Sequence, residues 1–360
     1  MIRTTFTPGR HWLDTSGNGI QAHGGSVIYD GGFYYWYGEN KERTHGNNGV
    51  WHWGVRCYRS SDLYNWEDLG LIIPPVVDDT GSPLHPSSMM DRPHIIFNSK
   101  TGKYVCWLKI MEHDGRQTET ILVSDHLTGP YEIVRTGLQP LGMNAGDFDL
   151  VVGDDGKAYY YFEHVHTETI CAELTDDYTD VNGRYSTHFQ HSGPPFTREA
   201  TAHFIRHGKH YLITSGTTGY LPNPSQSAIA DTWHGPFTIL GDTHPDDKTR
   251  TSYHSQISSV FRVQGKRDLY IAMADRWAPA WMGLRYSEYA ERFQTMFERT
   301  PLPGEVIEQD IGVPGGASLD EYSDVTLDTS QAEYVWLPIQ FEDDVPIIKW
   351  HDEWRVEDYE

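Results

Sequence analysis

The chain has 360 residues, 38% hydrophobic and 13% aromatic, with 34 glycines, 12 tryptophans and 22 tyrosines. That length supports a sizeable core, and no apolar run is long enough to span a bilayer. A formal net charge of −23 repels phosphate backbones and anionic membrane surfaces, so no nucleic acid and no membrane is expected as a partner, and a neutral ligand is.

The first residues, Met1-Ile2-Arg3-Thr4-Thr5-Phe6-Thr7-Pro8, contain no apolar h-region, and the expectation is a cytoplasmic protein. A glycine turn followed by a tyrosine-bearing apolar run then recurs along the chain. The turns are Asp30-Gly31-Gly32, Thr101-Gly102-Lys103, Asp155-Gly156-Lys157, His207-Gly208-Lys209 and Gln264-Gly265-Lys266, and the runs carry Tyr35, Tyr104, Tyr159, Tyr211 and Tyr270. Short β runs joined by such turns read as hairpins. A recurrence of roughly 50–70 residues is the scale of a propeller blade.

Each inner hairpin is followed by an outer segment. Ser124-Asp125-His126-Leu127-Thr128-Gly129-Pro130-Tyr131 resembles Ala230-Asp231-Thr232-Trp233-His234-Gly235-Pro236-Phe237; Ser61-Asp62-Leu63-Tyr64-Asn65-Trp66 is a shorter version, and Ser287-Glu288-Tyr289 opens a fifth variant. Blades are expected at 20–75, 88–137, 145–195, 197–243 and 252–300. A Pro/Gly-rich stretch follows at 301–316, and then a hairpin at about 330–355 that packs back on the ring. The expected fold is all-β: a five-bladed β-propeller, one domain over 1–360, with a C-terminal closing hairpin. Cys57, Cys106 and Cys171 sit far apart in apolar runs and are expected as free buried thiols.

Asp147, Glu199 and Gln256 each lie nine residues before a turn glycine, so they are expected to meet at one end of the axis. Asp91 lies eleven before Gly102, which implies a longer hairpin or a bulge. Converging carboxylates raise one another's pKa, the tuning a general acid needs near neutral pH. Glu199, flanked by small residues, is the candidate acid, and Asp147 the neighbour that tunes it. Candidate ligand contacts are Gln21 and His23 before the first hairpin, Glu39 and Glu163 at hairpin ends, Arg92 beside Asp91, Thr217 and Tyr220 in a hydroxyl-rich loop, and Trp277 after the fifth hairpin. His23, His94, His203 and His254 are expected on inner strands. No HExxH or Cys-His spacing is present, so no cofactor is required; a structural calcium ion held by axis histidines and waters is the one metal alternative. P-loop, GxSxG and GxGxxG patterns are absent.

These residues resemble glycoside hydrolase family 43, a five-bladed propeller family, and most closely its exo-β-1,3-galactanase group, over roughly residues 11–300. Gly19-Ile20-Gln21-Ala22-His23-Gly24-Gly25, Tyr35-Trp36-Tyr37-Gly38-Glu39-Asn40-Lys41, Asp91-Arg92-Pro93, Arg198-Glu199-Ala200, Tyr211-Leu212-Ile213-Thr214-Ser215-Gly216 and Ser255-Gln256 carry the resemblance. It implies Glu199 as general acid and Asp147 as pKa modulator. The wider family uses an Asp on the first blade as base; residues 20–25 hold no carboxylate, as in the galactanase group, where a fifth-blade glutamine takes that place. Gln256 fits it, with Asp91 or His23 as alternatives. Asp91 stands where that group is expected to have Glu. The implied partner is a neutral oligosaccharide or polysaccharide. The implied activity is exo-acting and inverting, releasing β-1,3-linked galactose. α-L-Arabinofuranosidase or β-xylosidase activity, or sugar binding without catalysis, are the alternatives. The oligomeric state is not legible.

Overall fold

Short apolar runs interrupted by glycine turns build twenty-one strands among the residues described by the computed structural model, which are 2–46, 48–296 and 327–360. The first blade is β1 (His23–Asp30), β2 (Phe33–Glu39), β3 (Val55–Ser60) and β4 (Glu67–Ile73). The second is β5 (Met89–Asn98), β6 (Lys103–Met111), β7 (Gln117–Ser124) and β8 (Glu132–Leu138). The third is β9 (Ala145–Val152), β10 (Ala158–His164), β11 (Glu168–Leu174) and β12 (Val181–His188). The fourth is β13 (Arg198–Arg206), β14 (Lys209–Gly216), β15 (Gln226–Ala230) and β16 (Thr238–Gly241). Each is an antiparallel meander running from the axis outward. Neighbouring innermost strands touch around the whole circle, with β17 (Gln256–Arg262) of the fifth blade against both β13 and β1.

The repeated tyrosine-bearing runs are the second strands. They are covered on both faces by neighbouring blades, which is why they read as nearly unbroken apolar segments. Trp36, Trp107, Tyr160 and Tyr211 are wholly buried there. Solvent reaches the rim instead, and β8 is exposed along almost its whole length. The three cysteines are free and buried, as expected.

The fifth blade departs from the expected layout. Its first two strands are β17 and β18 (Tyr270–Arg276), but its outer pair is β20 (Leu337–Glu342) and β21 (Val345–Ile348), with a short β19 (Glu333–Tyr334) also on β18. The C-terminal hairpin therefore closes the ring by becoming part of the blade rather than by packing on it. Stacking of Phe6 on Trp354 at 4.4 Å, and Trp36 against Trp336 at 4.6 Å, seals the junction. The segment expected to start an outer strand at Ser287 is helical: 3₁₀ turns at Pro279–Trp281 and Tyr286–Glu288 lead into α1 (Ala290–Met296). Helix-favouring Ala290, Glu291, Arg292 and Gln294 explain this, as does the Glu288 carboxylate accepting from the Arg285 backbone N–H at 2.7 Å. The Pro/Gly-rich stretch at 301–316 lies outside the described residues.

A bulge recurs at the start of every inner hairpin. The register shifts between His23 and Ser26, Asp91 and His94, Phe162 and His164, Glu199 and Ala202, and Ile257 and Ser259. The bulge expected at Asp91 is thus one of five. In three blades the residue just after the shift begins takes a left-handed backbone: Gly24 at φ 58°, Arg92 at 52° and Ala200 at 50°. Gly25 must be glycine for a different reason. A Cβ there would lie 1.8 Å from the Tyr37 carbonyl oxygen, and the bulge leaves that backbone nowhere to move. Gly25→Ala is expected to destabilise the fold by about 3 kcal/mol, read as a lower urea midpoint with an unchanged slope.

Candidate active site

The bulged ends of the inner strands and the connections from second to third strands open on the same end of the ring. They enclose a hollow of about 480 Å³. Glu199, Asp147, Gln256, Asp91, Glu39, Arg92, Glu163, Thr217, Tyr220 and Trp277 all border it, so ten of the twelve residues singled out from sequence come together. Gln21 and His23 do not. The Gln21 amide donates to the Ser330 carbonyl at 3.1 Å and accepts from the Lys41 N–H at 3.2 Å. His23 is fully buried, with Nδ1 3.0 Å from Asp275 and its ring stacked on Tyr334. Both serve the ring, and His23 is too enclosed to act as a base.

The reason for convergence also differs from the one expected. Counted from the bulges, Asp91 and Glu199 are equivalent, each directly preceding the shift, whereas Asp147 lies within its bulge and Gln256 one residue before Ile257. The shared spacing to the turn glycine arises because hairpin loops of different lengths offset these differences.

Arg92 is the central cation. Its left-handed backbone offers N–H to Glu39 Oε1 at 2.9 Å, while Nη2 reaches Asp147 Oδ2 at 2.9 Å and Gln256 Oε1 at 2.8 Å. Lys109 Nζ donates to the other Asp147 oxygen at 2.8 Å and lies 3.9 Å from Asp91 Oδ2. Burial alone would raise the Asp147 pKa, but Arg92 and Lys109 outweigh it and hold the carboxyl at about 2. Glu199 shows the opposite balance. Enclosure, then the charges of Asp147 and Glu163, push it well above the ordinary carboxylate range despite Lys109 and Arg92. Burial likewise pushes Glu39 up to about 7, although Lys41 Nζ is 2.8 Å away.

Every hydrogen-bonding position of the Gln256 amide is taken. Its oxygen accepts from Arg92 Nη2 at 2.8 Å and Trp277 Nε1 at 3.1 Å; its nitrogen donates to Glu199 Oε1 and Ser215 Oγ, both at 3.0 Å. Asp91 has one hydrogen bond among the described residues: Oδ1 accepts from Trp51 Nε1 at 2.7 Å and lies 3.8 Å from Lys41 Nζ, and Oδ2 lies 3.9 Å from Lys109 Nζ. A left-handed turn sets Gln256 in place. Ser252, Tyr253 and His254 have φ of 52°, 59° and 57°. Asp247 holds that turn by accepting from the N–H groups of Thr249, Thr251 and Tyr253 at 3.0, 2.8 and 3.0 Å. His254 thus lies before its inner strand, not on it.

Sequence reading missed Lys109, Trp51, Met111, Gln117, His166 and Phe293, which also border the hollow. Lys109 left a signal: a lone lysine inside the apolar run Tyr104–Met111 needs a buried carboxylate partner. On the axis, His23 and His94 each place Nδ1 3.0 Å from an aspartate, Asp275 and Asp149. Among the described residues, no group of three or more His, Cys, Asp or Glu is arranged to hold a metal ion, and no helix is long and apolar enough to cross a membrane.

The family model for glycosyl hydrolases family 43 matches residues 21–279. No curated protein matches the chain. Among solved structures, a family 43 β-1,3-galactosidase is 29% identical with a TM-score of 0.78; the match covers 99% of this chain and 65% of the other, so the chain spans under two thirds of that protein. A second β-1,3-galactosidase, in complex with galactodeoxynojirimycin, is 27% identical (TM-score 0.73, 97% of this chain and 100% of the other). The exo-β-1,3-galactanase of Phanerochaete chrysosporium with galactose is 25% identical (TM-score 0.75, 98% and 68%).

Proposed function

The chain belongs to glycoside hydrolase family 43 and is a glycosidase, and from that premise we propose that it removes terminal β-1,3-linked galactose from neutral oligosaccharides or polysaccharides with inversion at the anomeric carbon. The sugar, linkage and exo mode are supported by the names of the similar solved structures. The observation that carries the chemistry is the opposite tuning of two carboxyls in one hollow. Burial and the charges of Asp147 and Glu163 push Glu199 towards its protonated form, while Arg92 and Lys109 keep Asp147 ionised.

In this reading Glu199 protonates the glycosidic oxygen as the C1–O bond breaks. Asp147 raises the proton affinity of Glu199 and is itself neutralised by Arg92 and Lys109. The Gln256 amide occupies Glu199 Oε1, which leaves Oε2 to face the leaving oxygen. Asp91 takes the proton of the water that attacks C1 from the opposite face. Its Oδ2, which has Lys109 Nζ only at 3.9 Å, favours it over Gln256, whose oxygen already accepts from two donors.

Proton NMR of β-1,3-galactobiose hydrolysis is the direct test. α-Galactose is expected to form first; β-galactose first would overturn inversion, and no galactose release would overturn the substrate. The base is tested separately. Asp91→Asn is expected to lower kcat by about 10²–10⁴-fold, and azide, a nucleophile needing no base, is expected to restore turnover of an aryl β-galactoside as α-galactosyl azide. Azide rescue of Gln256→Ala instead would return the role to the amide.

A further inference from the structure

Asp91 is held by a neighbour from another blade. Its one hydrogen bond among the described residues comes from the Trp51 indole, Nε1 to Oδ1 at 2.7 Å. Trp51 lies in the connection between β2 and β3 of the first blade, and Asp91 on β5 of the second. Other charges face the carboxyl at longer range. Lys41 Nζ is 3.8 Å from Oδ1 but 2.8 Å from Glu39 Oε2; Lys109 Nζ is 3.9 Å from Oδ2 but 2.8 Å from Asp147 Oδ1. The adjacent Arg92 directs its guanidinium to Asp147 and Gln256. All three cations have nearer partners, so none of them fixes the direction of the Asp91 carboxylate.

The indole is built to do so. The Trp51 backbone is tied down independently of its ring: its N–H donates to the Pro86 carbonyl at 2.7 Å, and its carbonyl accepts from Lys41 Nζ at 2.9 Å and Thr44 Oγ1 at 3.0 Å. The ring itself stands 4.9 Å from Lys41 Nζ and 6.5 Å from the Tyr220 ring. A carboxylate otherwise turns over a broad torsional range. An indole N–H is a donor only, so it holds an oxygen without competing for a proton. We propose that Trp51 is the positioning residue of the base: by holding Oδ1 it leaves Oδ2 to take the proton of the attacking water, and it favours the ionised carboxylate that does so. This rests on the reading of Asp91 as base given above.

The test is Trp51→Phe, which keeps a ring beside Lys41 and removes the N–H. The backbone bonds of the loop are untouched, so the variant is expected to melt with the parent. On β-1,3-galactobiose kcat is expected to fall about tenfold, with KM changed at most about twofold. The acid limb of kcat/KM is expected to move to higher pH by about one unit, because the ionised carboxylate has lost a donor. Azide is expected to restore turnover of an aryl β-galactoside, and in the Asp91→Asn background the substitution should cost nothing further. Unchanged kcat, a loss confined to KM, or the same fold-loss with and without the Asp91 carboxylate would overturn the role of Trp51 while leaving the base reading intact. Asp91→Asn with full activity, or with a loss that azide does not repair, would remove the base and its positioning residue together.

Discussion

Glu199→Gln is expected to lower kcat on β-1,3-galactan by about 10²–10⁴-fold, the usual range for removing a positioned general acid. The loss should shrink on a dinitrophenyl β-galactoside, whose leaving group departs without a proton. In the wild type, kcat/KM should fall as pH rises through the elevated pKa of Glu199, because the acid is then spent; the variant should lack that limb. Stability should move the other way. A carboxyl whose folded pKa lies above its unfolded value stabilises the fold below the unfolded pKa and loses that contribution as pH rises through the folded one. At neutral pH the folded protein has to hold on Glu199 a proton that the unfolded carboxyl releases, because a charge is disfavoured beside Asp147 and Glu163, and glutamine carries no such cost. A thermal melt at pH 7 should therefore show the variant at least as stable as the parent. A clear drop in Tm with full activity would reject both parts.

Asp147→Asn is expected to damage stability first. It leaves Arg92 Nη2 and Lys109 Nζ, which lie 2.9 and 2.8 Å from the carboxylate oxygens, as buried cations without their anion. Breaking such a pair from one side costs about 3–5 kcal/mol. Enough folded protein for kinetics should also show a shifted pH profile. Without the charge of Asp147, and with two cations unopposed, Glu199 releases its proton more easily, so the alkaline limb moves to lower pH. Linkage gives an independent check. The Asp147 pKa of about 2 lies below the unfolded value of about 3.9. Its contribution is therefore present above that unfolded value and is lost as pH falls towards 2. Acid unfolding of the parent in that window should be weaker in the variant. A normal pH profile with unaltered stability would remove Asp147 from the tuning scheme.

Much of this site was legible because propeller repeats expose it twice, once in the glycine turns and once in the polar residues before them. Glu199, Asp147 and Gln256 could be named because each lies nine residues before a turn glycine, and Asp91 because it lies eleven before one. Gln21 and His23 misled for a physical reason. Their partners lie far along the chain, Ser330 for the Gln21 amide and Asp275 and Tyr334 for the His23 ring, and no spacing within residues 20–25 reveals them. Lys109 was missed because its partners lie on other strands and, for Asp147, on another blade. The fifth blade was misread because strand order in a sheet need not follow chain order. The segment after Trp277 was the nearest candidate in sequence, but the one that pairs comes some sixty residues later, at Leu337.

That last pairing shapes how the molecule is born. During synthesis four blades can complete themselves from contiguous chain, but β18 emerges with a bare row of amide and carbonyl groups along its outer edge. Only when residues 333–339 leave the ribosome can that edge be covered. An uncovered apolar strand is a template for the wrong neighbour, so mispairing is expected to compete with folding most strongly between the translation of Arg276 and that of Ile339.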